Sequence, residues 1–218
     1  HLIGEAALRS IGSGILVVLW CLVRRQPFLV FDRNWIWGLA IGLLFSLEFI
    51  ALNIGLNLTE VSSGVIYIYI APFIAAVGAH FLAAGERLDW RRSLGLLLAF
   101  CGILLIFAKG LEAPKPEQIT GDLLCLAMGI LWGIDMLMFK LTPLSRISAE
   151  RGLFYELAIS SVVLLAVSAL MGEPWTLGWN ARTTGALTYS VVLVSFVSYI
   201  TMIVMLRRYQ ASSLGAFV

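Results

Sequence analysis

Charge is scarce in this 218-residue chain: 13% of residues are Asp, Glu, Lys or Arg, while 60% are hydrophobic. Soluble domains carry about 25% charged and about 45–50% apolar residues, so a water-soluble globule is excluded. Cysteine is also scarce. Cys21, Cys101 and Cys125 lie in apolar runs without CxxC spacing, which excludes the usual zinc and redox pairs and leaves them as small packing residues. The two histidines, His1 and His80, form no HExxH, and GxxxxGK[ST] is missing. Zincin chemistry and a phosphate-cradling loop are therefore not expected, nor is any cofactor. No cleavable signal peptide is visible, and a net charge of +2 gives no footing for a nucleic-acid partner.

What the chain does have is long uncharged runs. Twenty-five residues separate Glu60 from Glu86, and 24 separate Arg182 from Arg207, with no Asp, Glu, Lys or Arg between. A helix needs roughly 20 apolar residues to cross a hydrocarbon core about 30 Å thick. The mean hydropathy of +0.94 agrees. We therefore expect an all-α integral membrane protein, a multi-span helical bundle in contact with the lipid bilayer. Seven spans are expected at Glu5–Val23, Asn34–Leu58, Val61–Ala84, Ser93–Ala108, Gly121–Phe139, Gly152–Met171 and Thr183–Leu206, with part of another from Ala211. Lipid cannot satisfy open backbone groups, so the spans must be helical. Runs such as Leu94–Ile106 lack the alternation of a barrel strand. Beginning at His1 and stopping at Val218 inside an apolar run, the sequence reads as a piece of a longer polypeptide.

The loops carry a topology signal. Arg24, Arg25, Arg33, Arg87, Arg91, Arg92, Lys140, Arg146, Arg151, Arg207 and Arg208 fall at alternate connections, and the opposite connections hold only Lys109, Lys115 and Arg182. Eleven against three places the basic loops in the cytoplasm. A faint repeat accompanies it. Thr59-Glu60-Val61-Ser62-Ser63-Gly64 is echoed 150 residues later by Tyr209-Gln210-Ala211-Ser212-Ser213-Leu214. Five spans lie between the two junctions, so the copies face opposite sides, as in transporters built from inverted repeats.

Several motifs follow one another in a telling order: Thr59-Glu60-Val61-Ser62-Ser63, Ala71-Pro72-Phe73, Gly85-Glu86-Arg87-Leu88, Leu94-Gly95, Cys101-Gly102-Ile103-Leu104-Leu105, then Gly121-Asp122 and Leu131-Trp132-Gly133. Together they resemble the EamA-type domain of the drug/metabolite transporter (DMT) superfamily. The resemblance implies ten helices in two inverted five-helix repeats, at 1–110 and 119–218 here, the first lacking its first helix and the second its C-terminal part. It also implies a bacterial inner membrane, cytoplasmic termini, and metabolite efflux through a central cavity between the repeats.

Candidate site residues come from polar and aromatic groups at membrane depth. Glu48 sits near the middle of its span, where a carboxylate faces the bundle interior or a wet cavity. It reads as a coupling-proton or cation site, or else as a hydrogen-bonded structural carboxyl near Ser46 or Asn53. Trp132 and Asp135, three residues apart, share a face with Met128 and Phe139 and would floor a pocket or pack the bundle. Thr188, Ser195, Tyr199 and Met202 recur as one stripe at the helical period. Tyr67 shares a face with Ser63. Pro72 is the expected kink and a gating candidate, and Gly38-xxx-Gly42 allows a close helix approach. Arg9 is expected to snorkel to the outer interface. Glu156 is ambiguous. The substrate-binding set is thus Glu48, Tyr67, Trp132, Asp135, Ser195 and Tyr199, with no catalytic or metal-binding residue.

The function expected is a secondary transporter for small amphipathic metabolites such as amino acids or drugs, working by alternating access with proton coupling as one option. Multivalent anions are disfavoured because no Lys/Arg cluster is embedded in the spans. The alternatives are an intramembrane enzyme, or a channel or scaffold without transport.

Overall fold

The computed structural model describes residues 2–30, 32–83, 88–106, 115–116, 118–173 and 180–209. Among them every regular element is helical: α1 (Leu2–Arg24), α2 (Trp35–Leu58), α3 (Val61–Ile68), α4 (Ala71–Leu82), α5 (Trp90–Ile106), α6 (Ile119–Leu141), a 3₁₀ turn (Pro143–Arg146), α7 (Ala149–Leu170), α8 (Ala181–Tyr189), a π-helical stretch (Ser190–Ser198) and α9 (Tyr199–Arg208). Six spans are long and apolar enough to cross a membrane, with α3–α4 and α8–α9 each counting as one. The expected span at Ser93–Ala108 appears as α5, which has 17 residues; 107 and 108 lie outside the described residues. So do Gly85, Glu86 and Arg87 of the Gly-Glu-Arg-Leu turn and the Ser212-Ser213 echo.

Local chemistry fixes the helix ends. Ser148 caps α7 by accepting from the Arg151 N–H at 3.2 Å, and Asn180 caps α8 through the Thr183 N–H at 2.8 Å. After α7 the chain turns through Gly172 at φ +66°. The Gly172 N–H bonds to Ala169 O and the Glu173 N–H to Ser168 O, a Schellman ending. α1 ends the same way, with Arg25 N–H on Leu22 O and Gln26 N–H on Cys21 O. There the left-handed residue is Arg25, at φ 51°, which costs about 1–2 kcal/mol that glycine would not.

The chain divides into two compact units. The first comprises residues 1–46 and 142–204, the second residues 47–141 and 205–218. Each therefore draws helices from both halves of the sequence. In the first, α1 and α7 run antiparallel. A Cβ on Gly14 would meet Leu157 Cβ at 3.8 Å, and one on Gly4 would meet Ser168 Oγ at 3.1 Å. α2 presses its start onto α7, since a Cβ on Gly38 would lie 2.5 Å from the Tyr155 ring and one on Gly42 2.5 Å from Ile159 Cβ. This is the close approach expected of Gly38-xxx-Gly42.

The second unit is organised around α6. Gly121, Cys125, Gly129 and Gly133 recur every four residues and give it a smooth face. A Cβ on Gly129 would come within 2.5 Å of Tyr67 O, and one on Gly133 within 2.8 Å of Ala71 O. α3 and α4 thus lie against α6 backbone to backbone, as small residues permit in membranes.

Candidate functional site

Pro72 stands at the start of α4 and cannot donate to Ile68 O. The helix breaks just ahead of it, at Tyr69–Ile70, where the Ile70 N–H turns back to Tyr67 O in a tight 3₁₀ bond. The single span expected at Val61–Ala84 is therefore two helices meeting at the proline. Tyr67 lies on the α6 side of this break, its carbonyl oxygen 2.5 Å from where a Cβ on Gly129 would stand.

The outer corner of the second unit fixes the register between α2 and α6. The Thr59 hydroxyl donates to Asp122, and a Cβ on Gly55 would meet Cys125 Sγ at 2.8 Å. The two helices run antiparallel there. Seven residues back from Gly55 is Glu48, and seven on from Cys125 is Trp132. Glu48 and Trp132 thus each stand two helical turns from that contact along their own helix.

Glu48 and Asp135 are both fully enclosed, at 0% exposure. Both carboxyl oxygens of Asp135 and the Trp132 Nε1 are buried with no hydrogen-bond partner among the described residues. Leaving a buried polar group unmet costs about 1–3 kcal/mol. Met128 and Phe139, on the same face, are buried as expected. Glu48, Tyr67, Pro72, Trp132 and Asp135 all belong to the second unit, whereas Ser195 and Tyr199 belong to the first. A metal site is not built: no group of three or more His, Cys, Asp or Glu gathers among the described residues.

Comparison with known proteins follows from this architecture. Residues 4–108 match the EamA-like transporter family. Over that stretch, just under half of the chain, the protein is similar to the EamA-type transporters. It is 27% identical over 179 residues to an uncharacterized transporter of Archaeoglobus fulgidus, covering 82% of this chain and 59% of that one. It is 22% identical to the transporter YoaV and 26% identical to YvbV, both of Bacillus subtilis, covering 95% and 97% of this chain and 70% and 68% of theirs. The chain thus spans about three-fifths to seven-tenths of these relatives' lengths. A solved crystal structure superposes with a TM-score of 0.79 at 21% identity, over 99% of this chain and 74% of that one, which establishes the fold. The chain is accordingly a multi-pass helical membrane protein.

Two sequence expectations need correction. The stripe of Thr188, Ser195, Tyr199 and Met202 assumed 3.6 residues per turn throughout. The π-helical stretch Ser190–Ser198 adds a residue to each turn and shifts the phase. Thr188 ends up exposed, donating to Thr184 O at 2.8 Å. Ser195 is buried, and Tyr199 sets its ring edge-on to Phe45 with centroids 5.6 Å apart. Arg9 does not hold its whole guanidinium outward: its Nε and Nη2 are buried, while the residue as a whole is part-exposed. Glu156 of α7 is fully buried in the same unit.

One polar cluster escaped sequence reading. Arg151 reaches from the first turn of α7 to the loop after α1. Its Nη2 donates to Val30 O at 2.9 Å and to Asp32 Oδ1 at 2.6 Å, and its Nε donates to the Tyr155 hydroxyl at 2.8 Å. Tyr155 Oη in turn donates to Val30 O at 2.8 Å. The hydrogen bond from Arg151 holds the Asp32 carboxyl below the usual carboxylate range. At the other end of the unit, burial alone would lift the Glu173 carboxyl. The N–H groups of Gly4 and Ile3 and the Ser168 hydroxyl outweigh it and hold the carboxyl low.

Proposed function

We propose that this protein is a secondary transporter that exports small metabolites such as amino acids or drugs by alternating access. The passage would be bounded by two inverted repeats, at 1–110 and 119–218, with the basic loops in the cytoplasm of a bacterial inner membrane. The observation that carries the reading is that Glu48, Trp132 and Asp135 put two fully buried carboxyls and an unmet indole N–H on two apolar helices of one unit. Intramembrane ionisable groups are kept at a cost and mark substrate or proton pathways. The buried break at Pro72 supplies the bend about which such a site would change its exposure. The family match and the transporter names of the relatives support the same class.

The test is counterflow in proteoliposomes, with the full-length protein and a panel of labelled amino acids and carboxylate-free amines. Saturable exchange supports the carrier, and continuous conductance would place the protein among channels. Glu48→Gln is expected to flatten the pH dependence of uptake. An unchanged pH profile would remove Glu48 as a proton site while leaving the carrier intact.

A further inference from the structure

We propose, building on the transporter reading, that Trp132 and Asp135 bind a compact organic ammonium compound that also carries a neutral oxygen acceptor. This is the chemistry of an amino alcohol, not of a carboxylate-bearing solute. The inference starts from what the two side chains lack. Asp135 is fully enclosed, and neither of its oxygens has a hydrogen-bond partner among the described residues. A bound cation would hold this carboxyl ionised, and a carboxylate only accepts, so its complement is a donor, best a charged one. The enclosed Trp132 Nε1 only donates and also lacks a partner there; its complement is an acceptor oxygen.

Three residues apart on α6, the two side chains present Cβ atoms roughly 5–6 Å apart. That spacing suits one small molecule with an ammonium group on Asp135 and a hydroxyl under the indole N–H. The ring face adds attraction for the cation.

The surroundings argue against a ligand carboxylate. Glu48, a second enclosed carboxyl of this unit, stands two helical turns along α2 from the Gly55–Cys125 contact, as Trp132 does along α6. The cations on the described helices of this unit sit at their ends. Arg91 and Arg92 open α5, Lys140 donates to Tyr209 O at 2.7 Å, and Arg207 and Arg208 close α9. Asp122 is engaged by Thr59. Tyr67 is a phenol and Cys125 a thiol, and His80 lies in the last turn of α4, where its Nδ1 accepts from the Leu88 N–H.

Four matched probes test this by equilibrium binding to the full-length protein in detergent: phenylalaninol, phenethylamine, phenylalanine and 3-phenylpropanol. Phenylalaninol is expected to bind at least tenfold more tightly than phenylalanine and severalfold more tightly than phenethylamine, with no saturable binding of 3-phenylpropanol. Asp135→Asn should weaken phenylalaninol tenfold or more, Asp135→Glu should recover part of it, and Trp132→Phe should erase the preference over phenethylamine. Tighter binding of phenylalanine than of phenylalaninol, or full affinity in a folded Asp135→Asn, overturns the site. Should Asp135→Asn fail to fold, the Trp132→Phe preference and the probe order still decide. Loss of the site with counterflow intact leaves the transporter reading standing, whereas binding without any flux removes that reading and keeps the site.

Discussion

Each unit buries several ionisable side chains, and Arg151 in the first and Asp135 in the second are treated in opposite ways. In the first, Arg151 is 8% exposed and meets a carboxylate, a carbonyl and a phenol within 2.9 Å. In the second, Asp135 is 0% exposed and its oxygens meet no hydrogen-bond donor among the described residues. A buried charge with every partner in place fixes a loop; one without partners is a cost that packing alone does not explain. The helices around them differ as well. α1 of the first unit carries Gly12 and Gly14, where a Cβ would meet only side chains, at 3.0 Å and 3.8 Å. The α6 glycines face backbone at 2.5–2.8 Å. α1 of the first unit meets its neighbours at these glycines through adjustable side chains, and α6 of the second meets main chain that cannot yield.

The largest effect should come from breaking that backbone contact. Gly129→Ala forces a methyl onto Tyr67 O and should destabilise the protein by about 3 kcal/mol or more, beyond the usual overpacking cost of roughly 1–3. Gly14→Ala on α1 should be nearly neutral, because its Cβ would meet only Leu157 at ordinary contact distance. Thermal unfolding in detergent reads both, and equal losses would erase the contrast between the units.

The charged pair comes next. Arg151→Met removes the centre of a satisfied cluster and should cost about 2–3 kcal/mol, whereas Asp135→Asn should leave the melting temperature unchanged or raise it slightly. A destabilisation by Asp135→Asn as large as that of Arg151→Met would show that both acids and bases here are structural. The smallest effect concerns pH. Asp32 has its carboxyl pKa depressed in the folded state, so its contribution is present above the unfolded value of about 4 and fades as pH falls through the folded value. The difference in stability between the wild type and Asp32→Asn should therefore be visible at neutral pH and vanish under strong acid.

Much of this architecture is legible in the residue order. Charge-free runs mark the spans because desolvating an ionised group is costly, and Pro72 marks the break because it cannot donate. Glu48, Trp132 and Asp135 are visible as polar or aromatic groups where apolar ones would suffice. The rest is hidden for physical reasons. Arg151 looks like one more loop cation, because its partners lie 119 and 121 residues away. The smooth face of α6 is written in Gly121, Gly129 and Gly133 at multiples of four, a signal that was available and passed over. The change of helical pitch at Ser190–Ser198 has no compositional mark, since Ser-Val-Val-Leu-Val-Ser-Phe-Val-Ser suits either winding. Burial of the Arg9 Nε and Nη2 depends on neighbours that only the folded unit supplies.

That loosely wound stretch has a consequence for how the chain tolerates change. A π-helix closes its bonds over i→i+5 rather than i→i+4, so Ser190–Ser198 holds surplus chain relative to an ordinary coil. Removing a single residue there can be absorbed by tightening, with Tyr199–Arg208 kept in phase. The same deletion in α6 would swing every later side chain by about 100° and carry the glycine face out of register. The chain has slack on one side and none on the other.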